Sequence, residues 1–238
     1  EKYLDPGQRL QIAREFIRGA SYNILKNLKY YQNRKGNLDQ IIEAIETERE
    51  RIGQVQDIQH LMSVEGRIRE TYYRAFDIIT DNKFPFVQRV KHQPDNAMNA
   101  MISFGNHLMY TAILREIYQT QLNPTISYLH EPGARRFSLA LDISEIFKPI
   151  IVDRVIFSLI NQNVITEEDF AKELNYCYLN ETGRKKFIKA FDEKMTSTIQ
   201  HRKLNKTVSY KTLIQIECYK LIKHLTDIEE YEAFQAWW

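Results

Sequence analysis

The chain has 238 residues, of which 43% are hydrophobic and 12% aromatic, and its formal net charge is +2. A charge so close to balance excludes an overall polybasic protein, so any nucleic-acid surface must come from local clusters of Lys and Arg. The only two cysteines, Cys177 and Cys218, stand apart without a Cys/His cluster. This excludes a classical zinc finger and a disulfide scaffold, and fits a reducing, cytoplasmic setting.

The eight Gly and six Pro residues are few for a chain of this size. Because turns need these residues, their scarcity predicts an all-α fold, with a multi-helix domain over residues 1–238. Hydrophobic spacing predicts helices, in chain order, over 8–30, 38–53, 55–80, 94–121 and 138–160, the last interrupted by Pro149. Asn180 and Ser209 are typical N-caps and predict helices to about 198 and 225. A short last helix is predicted over 228–238, and the only strand around 206–210. No apolar run is long enough to span a membrane.

An acid interrupts the apolar stripe of the predicted helix over 55–80. Apolar residues recur at helical spacing on both sides of position 65, but the residue there is Glu65. Burying an unpaired charge is costly, so this carboxylate needs a counter-charge or a ligand. From this helix alone two interpretations stay open: a core acid paired with an arginine such as Arg69, or a functional acid.

A neutral polar stripe runs along the predicted central helix over 94–121. It consists of Asn99, Ser103, Asn106 and Tyr110, at steps of four, three and four residues on an otherwise apolar helix. Buried polar groups need hydrogen-bond partners, so this stripe faces either a wet cleft or an internal network.

A third polar interruption begins at His130 and continues with Asp142 and Glu145, two acids on one face of an apolar helix. If this helix packs near the helix over 55–80, then Glu65, His130 and Glu145 can meet at one point. Two carboxylates and an imidazole are a suitable donor set for Mg²⁺ or Mn²⁺. The chain has no HExxH and no Glu-x-x-His spacing, which argues against a zincin and a ferritin-like di-iron site.

Cations lie close in sequence to these acids. We interpret Arg89, Lys91, Arg135, Arg136 and Lys148 as contacts for the phosphates of a polyanionic substrate, with a metal ion handling one phosphate between them. Two further basic clusters, over 184–186 and 201–206, fit an ordinary solvated surface equally well.

Four segments then resemble, in the same order, the motifs of one known family. They are SVEGRIRETYY (63–73), PDNAMNAMISFGNHLMYT (94–111), YLHEP (128–132) and SLALDISEIFKPIIVD (138–153). The family is that of the CRISPR-associated endonuclease-integrase, the universal spacer-acquisition protein. The resemblance implies a helical catalytic domain that follows a small β-rich domain, and the sequence is expected to lack the latter. It also implies one Mg²⁺ or Mn²⁺ held by Glu65, His130 and Glu145, with Asp142, Asn99 and Ser103 in supporting roles.

The reaction implied by the resemblance is insertion of spacer DNA into a CRISPR array, by attack of a 3′-hydroxyl on a backbone phosphate. The implied partners are a second copy of the chain in a homodimer, a small companion CRISPR adaptation protein and double-stranded DNA. Two departures from the family pattern are Glu145, where several branches carry Asp, and Asn106, where many members carry Tyr. The alternative interpretations are a non-catalytic nucleic-acid-binding or assembly module and, more weakly, a metal-dependent phosphoesterase for a small substrate.

Overall fold

The computed structural model describes residues 2–90, 93–131, 136–173, 176–202 and 204–238, and within these ranges the chain is mainly helical, as predicted. A π-helical turn (Pro149–Asp153) and a 3₁₀ turn (Glu167–Asp169) accompany the α-helices. The α-helices of the described ranges are α1 (Pro6–Lys35), α2 (Asp39–Arg51), α3 (Ile58–Tyr73), α4 (Ala75–Ile79), α5 (Ala97–Ile117), α6 (Ser138–Phe147), α7 (Arg154–Asn161), α8 (Glu181–Thr196) and α9 (Tyr210–Leu225).

Side-chain caps set the starts of several helices. Asn180 accepts a hydrogen bond from the Gly183 amide at 3.0 Å and so caps α8, while Ser209 accepts one from the Thr212 amide at 3.1 Å and caps α9. Both caps confirm the prediction from sequence. Each satisfies a backbone donor that the first helical turn leaves unpaired.

The helix predicted over 55–80 is divided into α3 and α4 at Arg74. The Arg74 amide donates to the Thr71 carbonyl, three residues back, and also lies against the Tyr72 carbonyl. This hydrogen bond to the third residue back tightens the turn and interrupts the α-helical pattern between α3 and α4. Residues of both helices, among them Tyr72 and Phe76, are fully buried.

The interruption predicted at Pro149 is a π-helical turn between α6 and α7. Pro149 has no amide hydrogen for a helical bond, and the Asp153 amide instead donates to the Lys148 carbonyl, five residues back, at 3.0 Å. The Asn27 side chain of α1 donates to the Pro149 carbonyl at 2.5 Å. The turn therefore interrupts the α-helical pattern, while the Asp153 amide and the Pro149 carbonyl keep hydrogen-bond partners.

The prediction of a single strand around 206–210 was incomplete. That strand exists as β4 (Lys206–Ser209), but it pairs antiparallel with β3 (Thr198–His201), and a second hairpin joins β1 (Phe170–Glu173) to β2 (Tyr176–Leu179). Each strand is only four residues long. So short a segment shows no alternation of polar and apolar residues that sequence reading can separate from a loop.

The helix predicted over 228–238 was wrong, because this segment is non-helical and docked on the helices. The Ala236 amide donates to the Asn23 side chain at 2.8 Å, and the Asn23 side chain donates back to the Phe234 carbonyl at 3.2 Å. The Phe234 amide and the Tyr231 hydroxyl both donate to the buried Glu217 carboxylate, at 3.0 and 2.6 Å. Side chains of α1 and α9 thus take the backbone groups that a helix would pair internally. The tail nevertheless packs on the core, since Phe234 is buried.

One cluster of buried apolar side chains connects these elements, and α6 lies between α1 and α5 within it. In the part of the chain that the structure describes, no helix is both long and apolar enough to cross a lipid bilayer.

Candidate active site

The two glutamates singled out in the sequence converge on one arginine. Arg69, on α3, donates from Nε to Glu65 Oε1 at 3.2 Å and from a terminal nitrogen to Glu145 Oε2, on α6, at 2.5 Å. The Arg69 side chain is only 12% exposed and that of Glu145 only 7%. The paired-acid interpretation of Glu65 is therefore realised, but the same arginine also brings the second acid to the same place.

Lys148 completes the pairing of Glu145. Lys148 directly follows α6, and its ammonium lies 2.5 Å from Oε1 of Glu145, three residues earlier in the chain. Both oxygens of this buried carboxylate are thus occupied by cations, which offsets the cost of removing its charge from water. We call the group formed by Glu65, Arg69, His130, Glu145 and Lys148 the acid cluster.

Asp142 orders the loop that carries His130. It is fully buried, and it accepts backbone hydrogen bonds from Tyr128 at 2.6 Å, Leu129 at 3.0 Å and His130 at 3.0 Å. The Asp142 carboxylate also lies 2.7 Å from His130 Nδ1. The ring donates at Nδ1 to this carboxylate, which leaves Nε2 as the acceptor in the neutral imidazole. Asp142 therefore fixes both the backbone of the loop and the orientation of the His130 ring.

The charges of the three candidate ligands act on one another. Burial, with the charge of Glu145, raises the pKa of Glu65, although Arg69 offsets part of the effect. Burial would also raise the pKa of Glu145, but Lys148, Arg69 and His130 hold it far below its usual range. Burial would lower the pKa of His130, yet its hydrogen bond to Asp142 and the charges of Asp142 and Glu145 raise it above the ordinary value. The three side chains therefore share one electrostatic environment.

Asp153 is a further acid at this site that the sequence interpretation missed. It ends the π-helical turn, is 2% exposed, and its Oδ2 has no hydrogen-bond partner among the described residues. Burial raises its pKa to about 6, and Arg69, Tyr72 and Lys148 offset part of that rise. The signal in the sequence was the same as for Glu145, an acid inside an apolar run.

The polar stripe of α5 has other immediate partners. Asn99 Oδ1 accepts from Arg89 at 2.9 Å and from the Val90 amide at 3.1 Å, and Ser103 Oγ accepts from Arg89 at 3.0 Å. Within the described ranges, no hydrogen bond joins Asn99 or Ser103 to Glu65, His130 or Glu145. The stripe anchors the segment before α5, so Arg89 serves as a structural cation in this arrangement.

The other cations interpreted as phosphate contacts have different positions. Lys91 and Arg135 lie outside the described residues. Arg136 is exposed, with its guanidinium 5.3 Å from the centre of the Phe137 ring. Lys148 is directed at Glu145. Of the five, Arg136 is thus the described cation that is most accessible to a substrate.

The donor types of the acid cluster fit a divalent metal ion, but the observed pairing is between acids and cations. Across the described ranges, no three His, Cys, Asp or Glu side chains form an arrangement that could hold a metal ion. Arg69 and Lys148 now take the carboxylate oxygens that a metal would need. Two carboxylates and an imidazole are a donor set suited to Mg²⁺ or Mn²⁺ once those contacts are released.

Comparison with solved structures places this site in a known fold. A CAS1 protein from Thermotoga maritima superposes with a TM-score of 0.86 at 38% identity, over 97% of this chain and 69% of that one. A casposase bound to integration product superposes with a TM-score of 0.87 at 24% identity, over 98% of this chain and 69% of that one. At that lower identity, the second likeness shows the fold alone.

Comparison of sequences gives the family. A protein named CRISPR-associated endonuclease Cas1 3, from Thermodesulfovibrio yellowstonii, is 51% identical over all 238 residues, which correspond to 72% of its own length. The model of the family described as CRISPR associated protein Cas1 matches residues 1–193. Together with the helical fold and the ordered motifs, these matches show that the chain belongs to the CRISPR associated protein Cas1 family.

Proposed function

We propose that this chain is the catalytic part of a metal-dependent DNA endonuclease and integrase that joins a 3′-hydroxyl to a backbone phosphate. The observation that carries the proposal is the convergence of Glu65 and Glu145 on Arg69, with Glu145 also acting on His130. These residues come from separate helices and a loop, far apart along the chain. Buried acids held at one point in this way are typical of a functional site.

Glu65, His130 and Glu145 are the residues that would hold the metal ion. When bound, the ion would polarise the scissile phosphate and stabilise the negative charge that develops on it. The His130 ring would bind through Nε2, since Asp142 fixes Nδ1. His130 is therefore a ligand in this proposal and not the base that activates the 3′-hydroxyl.

The remaining polar residues position the ligands and the substrate. Asp142 holds the backbone of Tyr128, Leu129 and His130, and its bond to His130 Nδ1 fixes the orientation of the imidazole. Arg136 would contact a flanking phosphate, and we propose the same role for Lys91 and Arg135, which lie outside the described residues. Asn99 and Ser103 would act indirectly, by holding Arg89 and the chain that enters α5.

The partners follow from membership of the family. We infer that the protein acts as a homodimer together with a small companion CRISPR adaptation protein, and that duplex DNA is the substrate. The bound integration product named for the casposase supports a joining reaction on this fold.

A strand-transfer assay on branched DNA with Mn²⁺ tests the proposal. Glu65→Gln removes one ligand charge and keeps the size of the side chain, so we expect joining to fall by at least about 10³-fold, or about 4 kcal/mol of transition-state stabilisation. The matched control is Glu70→Gln on the same helix, because Glu70 is 74% exposed and, among the described residues, its ion pair is with Arg74. Joining by Glu65→Gln at the rate of the control would contradict the proposal.

One observation favours the alternative of a non-catalytic nucleic-acid-binding or assembly module: Arg69 and Lys148 already neutralise Glu145. Such a module would bind DNA but would not join strands in the presence of any divalent metal ion. Mn²⁺ would also not raise its melting temperature.

A further inference from the structure

A second group of charges lies where α1 ends, α7 begins and α8 ends. Its members are Arg34 in the last turn of α1, Arg154 at the first position of α7 and Lys194 in the last turn of α8. We call these three residues the basic patch. Arg154 donates to the fully buried Asn27 side chain, and among the described residues no hydrogen bond or ion pair joins the patch to a member of the acid cluster, so we treat the two groups as distinct.

Aromatic rings hold the cations of the basic patch. The Arg34 guanidinium lies 3.7 Å from the centre of the Tyr30 ring, and the Arg154 guanidinium lies 5.8 Å from the same centre. The Lys194 ammonium lies 4.1 Å from the centre of the Tyr210 ring. Tyrosine faces attract cations without carrying a formal charge, so they position these groups and leave their charge unneutralised.

Within the described ranges, no carboxylate forms an ion pair with any of the three cations. Arg154 donates to the neutral Asn27 side chain at 2.7 Å, and Arg34 donates to the Tyr30 carbonyl at 3.3 Å. Burial and the nearby charge of Arg154 lower the pKa of Lys194 to about 8. The cations of the patch therefore repel one another, and an anion placed between them would relieve that repulsion.

Other lysines of α8 show a different pattern. Lys185 lies 2.6 Å from Glu181 and Lys189 lies 4.0 Å from Glu193, both at the i, i+4 spacing. The helix dipole favours cations in the last turn of a helix, so it accounts for the position of Arg34 and of Lys194, each taken alone. It does not account for Arg154, which begins its helix, or for the convergence of cations from three helices.

We propose that the basic patch binds backbone phosphates of duplex DNA, as a contact separate from the acid cluster. The inference rests on the proposed function for the identity of the polyanion, since a DNA-joining enzyme must hold its substrate over more than one phosphate. Guanidinium and ammonium groups held on neutral rings suit phosphate oxygens and read no base sequence. The patch thus contributes affinity that depends on salt and is independent of sequence.

The test is the affinity of the whole chain for a labelled DNA duplex in EDTA, measured by fluorescence anisotropy over a range of salt concentrations. Arg34→Gln combined with Lys194→Gln removes two charges that have no ion pair among the described residues. We expect the negative slope of log affinity against log salt to become shallower by about 2. The affinity near 0.1 M salt should weaken at least about tenfold. The matched control, Lys185→Gln with Lys189→Gln, removes the same net charge from α8 and should leave the slope within about 0.5 of the unmodified chain.

A charge-retaining variant, Arg34→Lys with Lys194→Arg, should keep the slope of the unmodified chain. This result would show that the loss in the glutamine variant comes from the missing charges and not from misfolding. Equal slopes for the glutamine pair and the unmodified chain would overturn the inference, as would a failure of the unmodified chain to bind duplex DNA. Binding in EDTA involves no strand joining, so this test is independent of the proposed function. Failure of the proposed function would be seen in the strand-transfer assay, as joining by Glu65→Gln.

Discussion

The acid cluster and the basic patch hold charged groups in the same helical framework, but they compensate charge in opposite ways. In the acid cluster, Arg69 and Lys148 each contact Glu145 at 2.5 Å, so acids and cations satisfy one another. In the basic patch, tyrosine rings hold the cations and no carboxylate pairs with them among the described residues. Ion pairs within the chain therefore stabilise the acid cluster, whereas an anion from outside the chain would stabilise the basic patch.

The largest effect on stability should come from breaking the acid cluster at its centre. Glu145→Ala leaves Arg69 and Lys148 without their shared carboxylate in a buried site, so we expect the free energy of unfolding to fall by about 3–5 kcal/mol. Urea denaturation at neutral pH measures this value. Glu70→Ala, which removes an exposed ion pair, should cost less than about 1 kcal/mol. Similar losses for the two variants would show that the pairing at Glu145 contributes little.

Asp153 gives the next largest effect, as a dependence of stability on pH. Its pKa is raised from 3.8 to about 6 in the folded chain, so between these values the folded state binds a proton that the unfolded state does not. The contribution of Asp153 to stability therefore increases as pH falls from about 6 to about 4, and above 6 its ionised form is a cost.

Asp153→Asn cannot titrate and should lack that dependence. The difference in unfolding free energy between the unmodified chain and the variant should change by about 2–3 kcal/mol from pH 7.5 to pH 4, in favour of the unmodified chain at low pH. Urea denaturation of both proteins at these pH values checks it, and comparing the difference cancels the titration of other acids. A difference that stays constant would mean that Asp153 has an ordinary pKa.

Arg69→Gln sharpens the comparison with a smaller effect. Arg69 occupies oxygens of Glu65 and Glu145, so its removal should tighten Mn²⁺ binding about tenfold, or about 1.4 kcal/mol, while the metal-free chain becomes less stable. Isothermal titration calorimetry measures the affinity. Arg67→Gln is the control, because Arg67 pairs with Glu48, at 2.9 Å, on α2. Weaker Mn²⁺ binding in Arg69→Gln would instead make Arg69 a group that the site needs in place.

Periodicity and capping predicted most helices, because long amphipathic segments and side chains such as Asn180 and Ser209 act locally. The non-helical path of the tail escaped prediction, since Asn23 and Glu217 determine it from far along the chain. Of the strands in the described ranges, β4 was predicted and the others were missed, because four residues show no clear alternation. At the site, Glu65, Asp142 and Glu145 were identified because each is an acid within an apolar run, and burying an unpaired charge is costly.

The partners of those acids were less accessible to sequence reading. Arg69 was named only as a candidate partner for Glu65, and its contact with Glu145 joins residues 76 positions apart. Arg89 was interpreted as a phosphate contact, yet it bonds Asn99 and Ser103. Which cations face inward depends on how helices pack, and helical spacing alone does not encode that.

Calorimetric titration of the unmodified chain and of Glu65→Gln with Mn²⁺ tests the central claim most directly. The account predicts one ion bound per chain to the unmodified protein, with a rise in melting temperature, and binding at least about tenfold weaker in the variant. Glu70→Gln should bind as the unmodified chain does. No saturable binding, or equal binding by the unmodified chain and Glu65→Gln, would contradict a metal site formed by Glu65, His130 and Glu145.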